Sequence, residues 1–80
     1  MGIMPDYTYG GSGVRADGVS DGKPAIKAGL KAGDIIIKMG DNNIASLENY
    51  MQTLDKYKKG DRVKVKYKRG NEELETTVEF

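Results

Sequence analysis

The chain has 80 residues and a net charge of +1 with 31% charged residues, which is the size of one small domain with the charge balance of a folded one. It contains no cysteine and no histidine, so disulfides, thiolate nucleophiles, sulfur-ligated metal sites and the commonest general base near neutral pH are all excluded. The length is too short for a TIM barrel or a dinucleotide-binding fold, and neither a membrane span nor the basic-then-apolar pattern of a signal peptide is found.

In chain order, Gly2 to Tyr7 has branched and aromatic residues suited to a strand, and Pro5, which cannot donate to a ladder, marks that strand as an edge. Gly10-Gly11-Ser12-Gly13 reads as a flexible turn, and Val14 to Val19 alternates apolar and charged residues as a half-buried strand does. Pro24 to Gly29 fits a short helix with Pro at its first position, after which Leu30 folds back onto the core. Ile35-Ile36-Ile37 is apolar on both faces and belongs to a central strand, followed by a turn at Gly40-Asp41-Asn42-Asn43. Ser46 caps the one long helix, expected over 47 to 57, with Leu47, Tyr50, Met51, Leu54 and Tyr57 at helical spacing and Lys58-Lys59-Gly60 at its end. From Arg62 the period becomes two: Val63, Val65 and Tyr67 point inward, a turn falls at Gly70-Asn71, and Leu74, Thr76, Val78 and Phe80 point inward on the return.

Few motifs offer chemistry. Gly11 to Ala16 matches the loose dinucleotide-binding fingerprint, but a strand follows where a helix is required. Ser12, Ser20 and Ser46 are the only serines and are placed as turn residues and a cap. Asp41-Asn42-Asn43 lacks the glycine and distant glutamate of a calcium loop. No catalytic residue, metal site or cofactor is therefore expected. Lys56 to Arg69 is dense in basic residues, but Lys64, Lys66 and Lys68 share a strand face that the returning strand flanks with Glu73, Glu75 and Glu79. A charge ladder is expected there, and nucleic-acid binding through this hairpin ranks last among the binding readings. The apolar arc of the long helix is wide enough for both a core and a groove, and the edge strand is its natural neighbour; such a slot fits an extended peptide.

At this point the chain resembles the PDZ domain family in its bacterial protease-associated, circularly permuted form. The likeness is carried by Gly18 to Ile36, with its turn, short helix and Ala28-Gly29-Leu30-Lys31-Ala32-Gly33-Asp34 signature, and by Met1-Gly2-Ile3, which is similar to the family's carboxylate-binding loop. The segment from Met4 onward is most similar to PDZ modules of exported zinc aminopeptidases, with stress serine proteases next. The resemblance implies an α+β fold, a small partly open β-barrel or sandwich of about five strands with one short and one long helix. It also implies that residues 1–80 form a single domain excised from a larger protease, exported to the periplasm or cell envelope.

Carried over by position, Met1, Gly2, Ile3 and Met4 form the carboxylate-binding loop. Pro5, Asp6, Leu47, Met51 and Leu54 line the peptide groove, with Leu47 facing an apolar ligand residue two from the end. Pro5 stands where the family donates a ladder bond, so one bond is missing. The expected partners are peptide or protein C-termini, internal extended segments, or the parent protease domain. The function so implied is noncatalytic capture of apolar peptides that guides or regulates a linked protease. The alternative is a structural module whose groove is filled within the parent protein.

Overall fold

The computed structural model describes residues 2–80. Its elements are β1 (Ile3–Pro5), β2 (Val14–Val19), α1 (Pro24–Lys27), β3 (Ile35–Met39), β4 (Asn42–Asn43), α2 (Leu47–Leu54), β5 (Arg62–Arg69) and β6 (Glu72–Glu79). The strands form one antiparallel open sheet in the order β1-β2-β3-β5-β6, with β4 paired to β3. This is the expected small α+β fold, with five principal strands and the two-residue β4 in addition. β1 and β6 are the two edges, and β3 is central, as its isoleucines require.

Pro24 opens α1 at its first turn, and Ala25 points from it into the core. Leu30 is buried with Val14, Ile36, Met39, Val65 and Val78, so the chain after α1 folds back as expected. β5 and β6 pair without a register break from Arg62↔Glu79 to Arg69↔Glu72. Val63, Val65, Tyr67 and Val78 are buried on the inner face. On the outer face Lys66 lies opposite Glu75, Lys68 opposite Glu73 and Arg62 opposite Glu79, the last pair within 3.5 Å, while Lys64 faces Thr77. The basic stretch is thus flanked by acidic partners on its own hairpin.

Three boundaries differ from the sequence reading, each for a local reason. The first strand, expected over 2 to 7, ends at Pro5 because the Asp6 carboxylate accepts hydrogen bonds from the Thr8 amide and hydroxyl and turns the chain away from the sheet. The expected turn at 40 to 43 is tighter, and Asn42 and Asn43 instead pair back onto Met39 and Lys38. The long helix, expected to 57, ends at Leu54. The amides of Lys56 and Tyr57 donate to the carbonyls of Thr53 and Leu54, only three residues back. Tyr57 is drawn out of the helix instead: its hydroxyl donates to the Met39 carbonyl at 3.2 Å, and its ring packs on Phe80 with centroids 5.4 Å apart. Lys58 and Lys59 consequently lie beyond the helix rather than in its last turn.

Candidate peptide groove

The candidate groove begins at Gly2. Its φ is +93°, a left-handed conformation open to glycine, and a Cβ there would collide with the Cβ of Lys23. Its carbonyl accepts from the Ser20 amide at 2.8 Å. That bond sets the parity of the β1–β2 ladder, in which Ile3 lies opposite Val19 and Met4 opposite Gly18. Alternation then turns the Gly2 carbonyl and the backbone groups of Met4 toward β2, and those of Ile3 and Pro5 toward the free edge. The free side of β1 therefore offers the Ile3 amide and the Ile3 and Pro5 carbonyls, with no donor at Pro5.

Met4 and Ile3 are placed on opposite faces of β1. The Met4 backbone is committed to Gly18, and its side chain, 53% exposed, lies over Gly18 on the outer face. Ile3 is half-buried and packs on the core cluster. Met1 lies outside the described residues.

The expected groove residues Leu47, Met51 and Leu54 are carried by α2. Ser46 caps it, its hydroxyl accepting from the Asn49 amide at 3.2 Å, with Glu48 in the first turn. Around the helix, Tyr50 and Thr53 are buried, Leu47 and Leu54 half-buried against the core, and Met51 is 48% exposed. One flank of the apolar arc thus closes the core, and the flank carrying Leu47, Met51 and Leu54 at i, i+4 and i+7 faces outward. Thr53 was missed as a core residue because threonine carries no apolar signal, although it sits three residues from Tyr50.

The upstream end of the groove is shaped by the expected Asp6 together with Tyr7, Tyr9, Gly13 and Arg15, which the sequence reading did not single out. Asp6, half-buried, also accepts from Arg15 Nη1 at 2.9 Å. Its carboxyl is held below the ordinary carboxylate value by the Thr8 hydroxyl and amide first, then by Arg15. Tyr9 folds its ring over Gly11. Gly13, at φ +93°, approaches the Ile36 carbonyl so closely that a Cβ would clash, and its amide donates to the Ala45 carbonyl at 3.2 Å. The glycine run read as a flexible turn is therefore tied to the residue before the α2 cap. Between them lies a cavity of about 310 Å³ lined by Asp6, Tyr7, Tyr9 and Gly11 on one side and Ala45, Ser46 and Leu47 on the other. The segment just after β1 and the start of α2 are thus neighbours.

Compared with known families, residues 1–80 match the PDZ domain. The chain belongs to the PDZ domain family. Members of that family are noncatalytic modules that bind peptides or protein partners. Among curated proteins, it is 44% identical over 66 residues to the serine protease Do-like HtrA of Lactococcus lactis subsp. lactis, covering 82% of this chain and 16% of that protein. It is 39% identical over 77 residues to the corresponding protein of Lactococcus lactis subsp. cremoris, covering 96% of this chain and 18% of the relative. The chain therefore spans less than a fifth of the length of these relatives.

Among solved structures, an aminopeptidase N family protein from Idiomarina loihiensis superposes with a TM-score of 0.83 at 26% identity, covering 96% of this chain and 13% of that one. The PDZ domain of the SdrC-like protein from Listeria monocytogenes superposes with a TM-score of 0.73 at 32% identity, covering 90% and 73%. The chain is thus related to PDZ segments of both serine proteases and an aminopeptidase. Among the described residues, no helix is long and apolar enough to cross a membrane.

Proposed function

We propose that this PDZ domain captures apolar C-terminal peptides, or internal extended segments, by adding them to the free edge of β1 beside α2, and so guides or regulates a linked protease. The observations that support this reading are the unpaired edge at Ile3 and the cavity that sets Asp6 and Tyr7, just after β1, beside Leu47 at the start of α2. In this reading the Gly2–Ile3 turn receives the terminal carboxylate through main-chain amides, the kind of concavity that binds anions. Ile3, Met51 and Leu54 surround the last ligand side chain, and the flexible thioether of Met51 tolerates several aliphatic shapes. Leu47 then faces an apolar residue two positions upstream. The linked enzyme is a zinc aminopeptidase or a serine protease exported from the cytoplasm.

A titration with a C-terminal peptide library, followed through the amides of Gly2, Ile3, Met51 and Leu54, tests it. Saturable shifts that need a free carboxylate support C-terminal capture, and equal shifts with amidated peptides support internal segments. Flat spectra favour a structural module whose groove is filled inside the parent protein. The three-residue length of β1 and the absent donor at Pro5 are the observations that speak for this second reading.

A further inference from the structure

The opposite edge of the sheet is the better template for strand pairing. β6 is eight residues long, contains no proline and keeps a single register with β5, whereas β1 has three residues and a register shift. The Phe80 amide donates to the Asp61 carbonyl at 2.8 Å, which fixes that pair as hydrogen-bonded. By alternation, the even-numbered residues of β6 bond to β5, and the main-chain groups of Glu73, Glu75, Thr77 and Glu79 point to the free side. These four residues are exposed. Beside Thr77 and Glu79 runs a cavity of about 510 Å³, walled across from them by Pro24, Lys27 and Ala28 of the α1 region and closed by Lys59 and Phe80.

We propose that this edge is a second strand-addition site, for an extended segment of a partner protein that alternates basic and apolar residues. The charge pattern selects that occupant. Glu73, Glu75 and Glu79 share the outer face, flanked by basic residues on β5 only, so an added strand on their open side gains from basic residues there and is repelled by acidic ones. On the inner face it meets Pro24, Ala28 and Phe80 with Lys27 and Lys59 at the rim, which suits apolar side chains and repels basic ones. β5 shows the complement already: Arg62 to Arg69 alternates basic residues outward with Val63, Val65 and Tyr67 inward, and pairs along the whole of β6. A second copy of the chain does not fit. Antiparallel pairing of β6 with itself about Thr77 sets Glu75 against the copy's Glu79, and pairing about Glu75 sets that glutamate against itself.

The probe is an acetylated and amidated octapeptide with the Arg62–Arg69 sequence, which has no terminal carboxylate to engage Gly2 and Ile3. In the free 80-residue chain the amides of Glu75, Thr77 and Glu79 are expected to exchange rapidly with solvent, and saturating peptide is expected to slow them about tenfold or more. Thr77→Pro removes an outward amide without touching the β5 ladder and is expected to abolish this protection. Glu75→Lys combined with Glu79→Lys is expected to weaken binding about tenfold. A shuffled peptide of the same composition is expected not to protect these amides. The proposal is overturned if they are already slow in the free chain, if the shuffled peptide protects equally, or if the responding amides are those of β1 and α2.

Discussion

Arg69 closes on Asp34 across 35 residues of sequence: its Nε and Nη2 donate to the two carboxylate oxygens at 2.8 and 2.7 Å. Asp34 is only 1% exposed, and it also accepts from the Lys31 amide at 2.9 Å. Nη2 of Arg69 reaches the Gly29 carbonyl at 3.1 Å as well. The loop from Gly29 to Asp34 is thereby bolted to the end of β5. That loop pairs with β2, the Asp34 carbonyl accepting from Ala16, so the clamp holds the strand on which β1 depends.

Arg69→Met removes the clamp and leaves the Asp34 carboxylate buried with one backbone donor. Because the Arg69 guanidinium is itself exposed, the expected effect is a lower urea midpoint, smaller than breaking a fully buried pair would give. Burial alone would raise the Asp34 carboxyl, but Arg69, then the Lys31 amide, outweigh it and hold the group below its ordinary value of 3.8. A carboxyl with a depressed native pKa stabilises the fold above its unfolded value, and that contribution is lost as the pH falls through the native one. Acid titration of the wild type is therefore expected to show a loss of stability below pH 3.8 that is reduced in Arg69→Met.

Tyr50 governs the alkaline limit. Burial against the core, with 3% exposure, pushes its hydroxyl up to about 12 from 10.0. The unfolded chain loses this proton first, so the stability it contributes is complete below pH 10.0 and declines as the pH rises toward about 12. Denaturation midpoints measured across that window are expected to fall in the wild type by more than in Tyr50→Phe, with a difference of about 1–3 kcal/mol.

Pro5→Ala restores a donor on the open side of β1. If peptides add to this edge, one further ladder bond forms, worth about 0.5–1.5 kcal/mol or about 2- to 12-fold in affinity. Titration calorimetry with one peptide against both chains measures it, and an unchanged affinity would place the ligand elsewhere.

Gly2→Ala strains a left-handed position and drives a methyl group into the Lys23 side chain. The conformational cost alone is about 1–2 kcal/mol. Binding of a C-terminal peptide is expected to fall by more than global stability does, because the turn opens at the chain's edge while the core around Ile36 and Val65 is untouched. Equal losses in both measurements would assign Gly2 a purely structural part.

Much of this architecture is legible in the sequence where a signal is local. Pro24 and Ser46 mark helix starts through their own backbone chemistry, and the alternation from Val63 to Val78 forces a hairpin whose register its turn then fixes. The expected slot came from the wide apolar arc of the long helix and the edge strand marked by Pro5, and the family resemblance then assigned its residues. What was not legible depends on partners distant in sequence. The helix spacing from Leu47 continues to Tyr57, yet Tyr57 leaves the helix because the Met39 carbonyl and the Phe80 ring hold it. The first strand stops early because Asp6 finds Thr8 and Arg15, and a carboxylate in a strand pattern does not announce a turn. Arg69 reads as one more charge of a basic ladder, and its pairing with a buried aspartate appears only once β5 is set beside the α1 loop.

The most direct test of the groove is the position of a bound ligand's last side chain. For a chain selectively labelled at its methionine methyl groups and saturated with a leucine-terminated peptide, intermolecular contacts between the leucine methyls and the Met51 methyl are expected, with the Ile3 amide shifted and the Met4 methyl unperturbed. Contacts to Met4 instead of Met51, with Ile3 unmoved, would contradict the account, because the ligand would then lie on the outer face over Gly18.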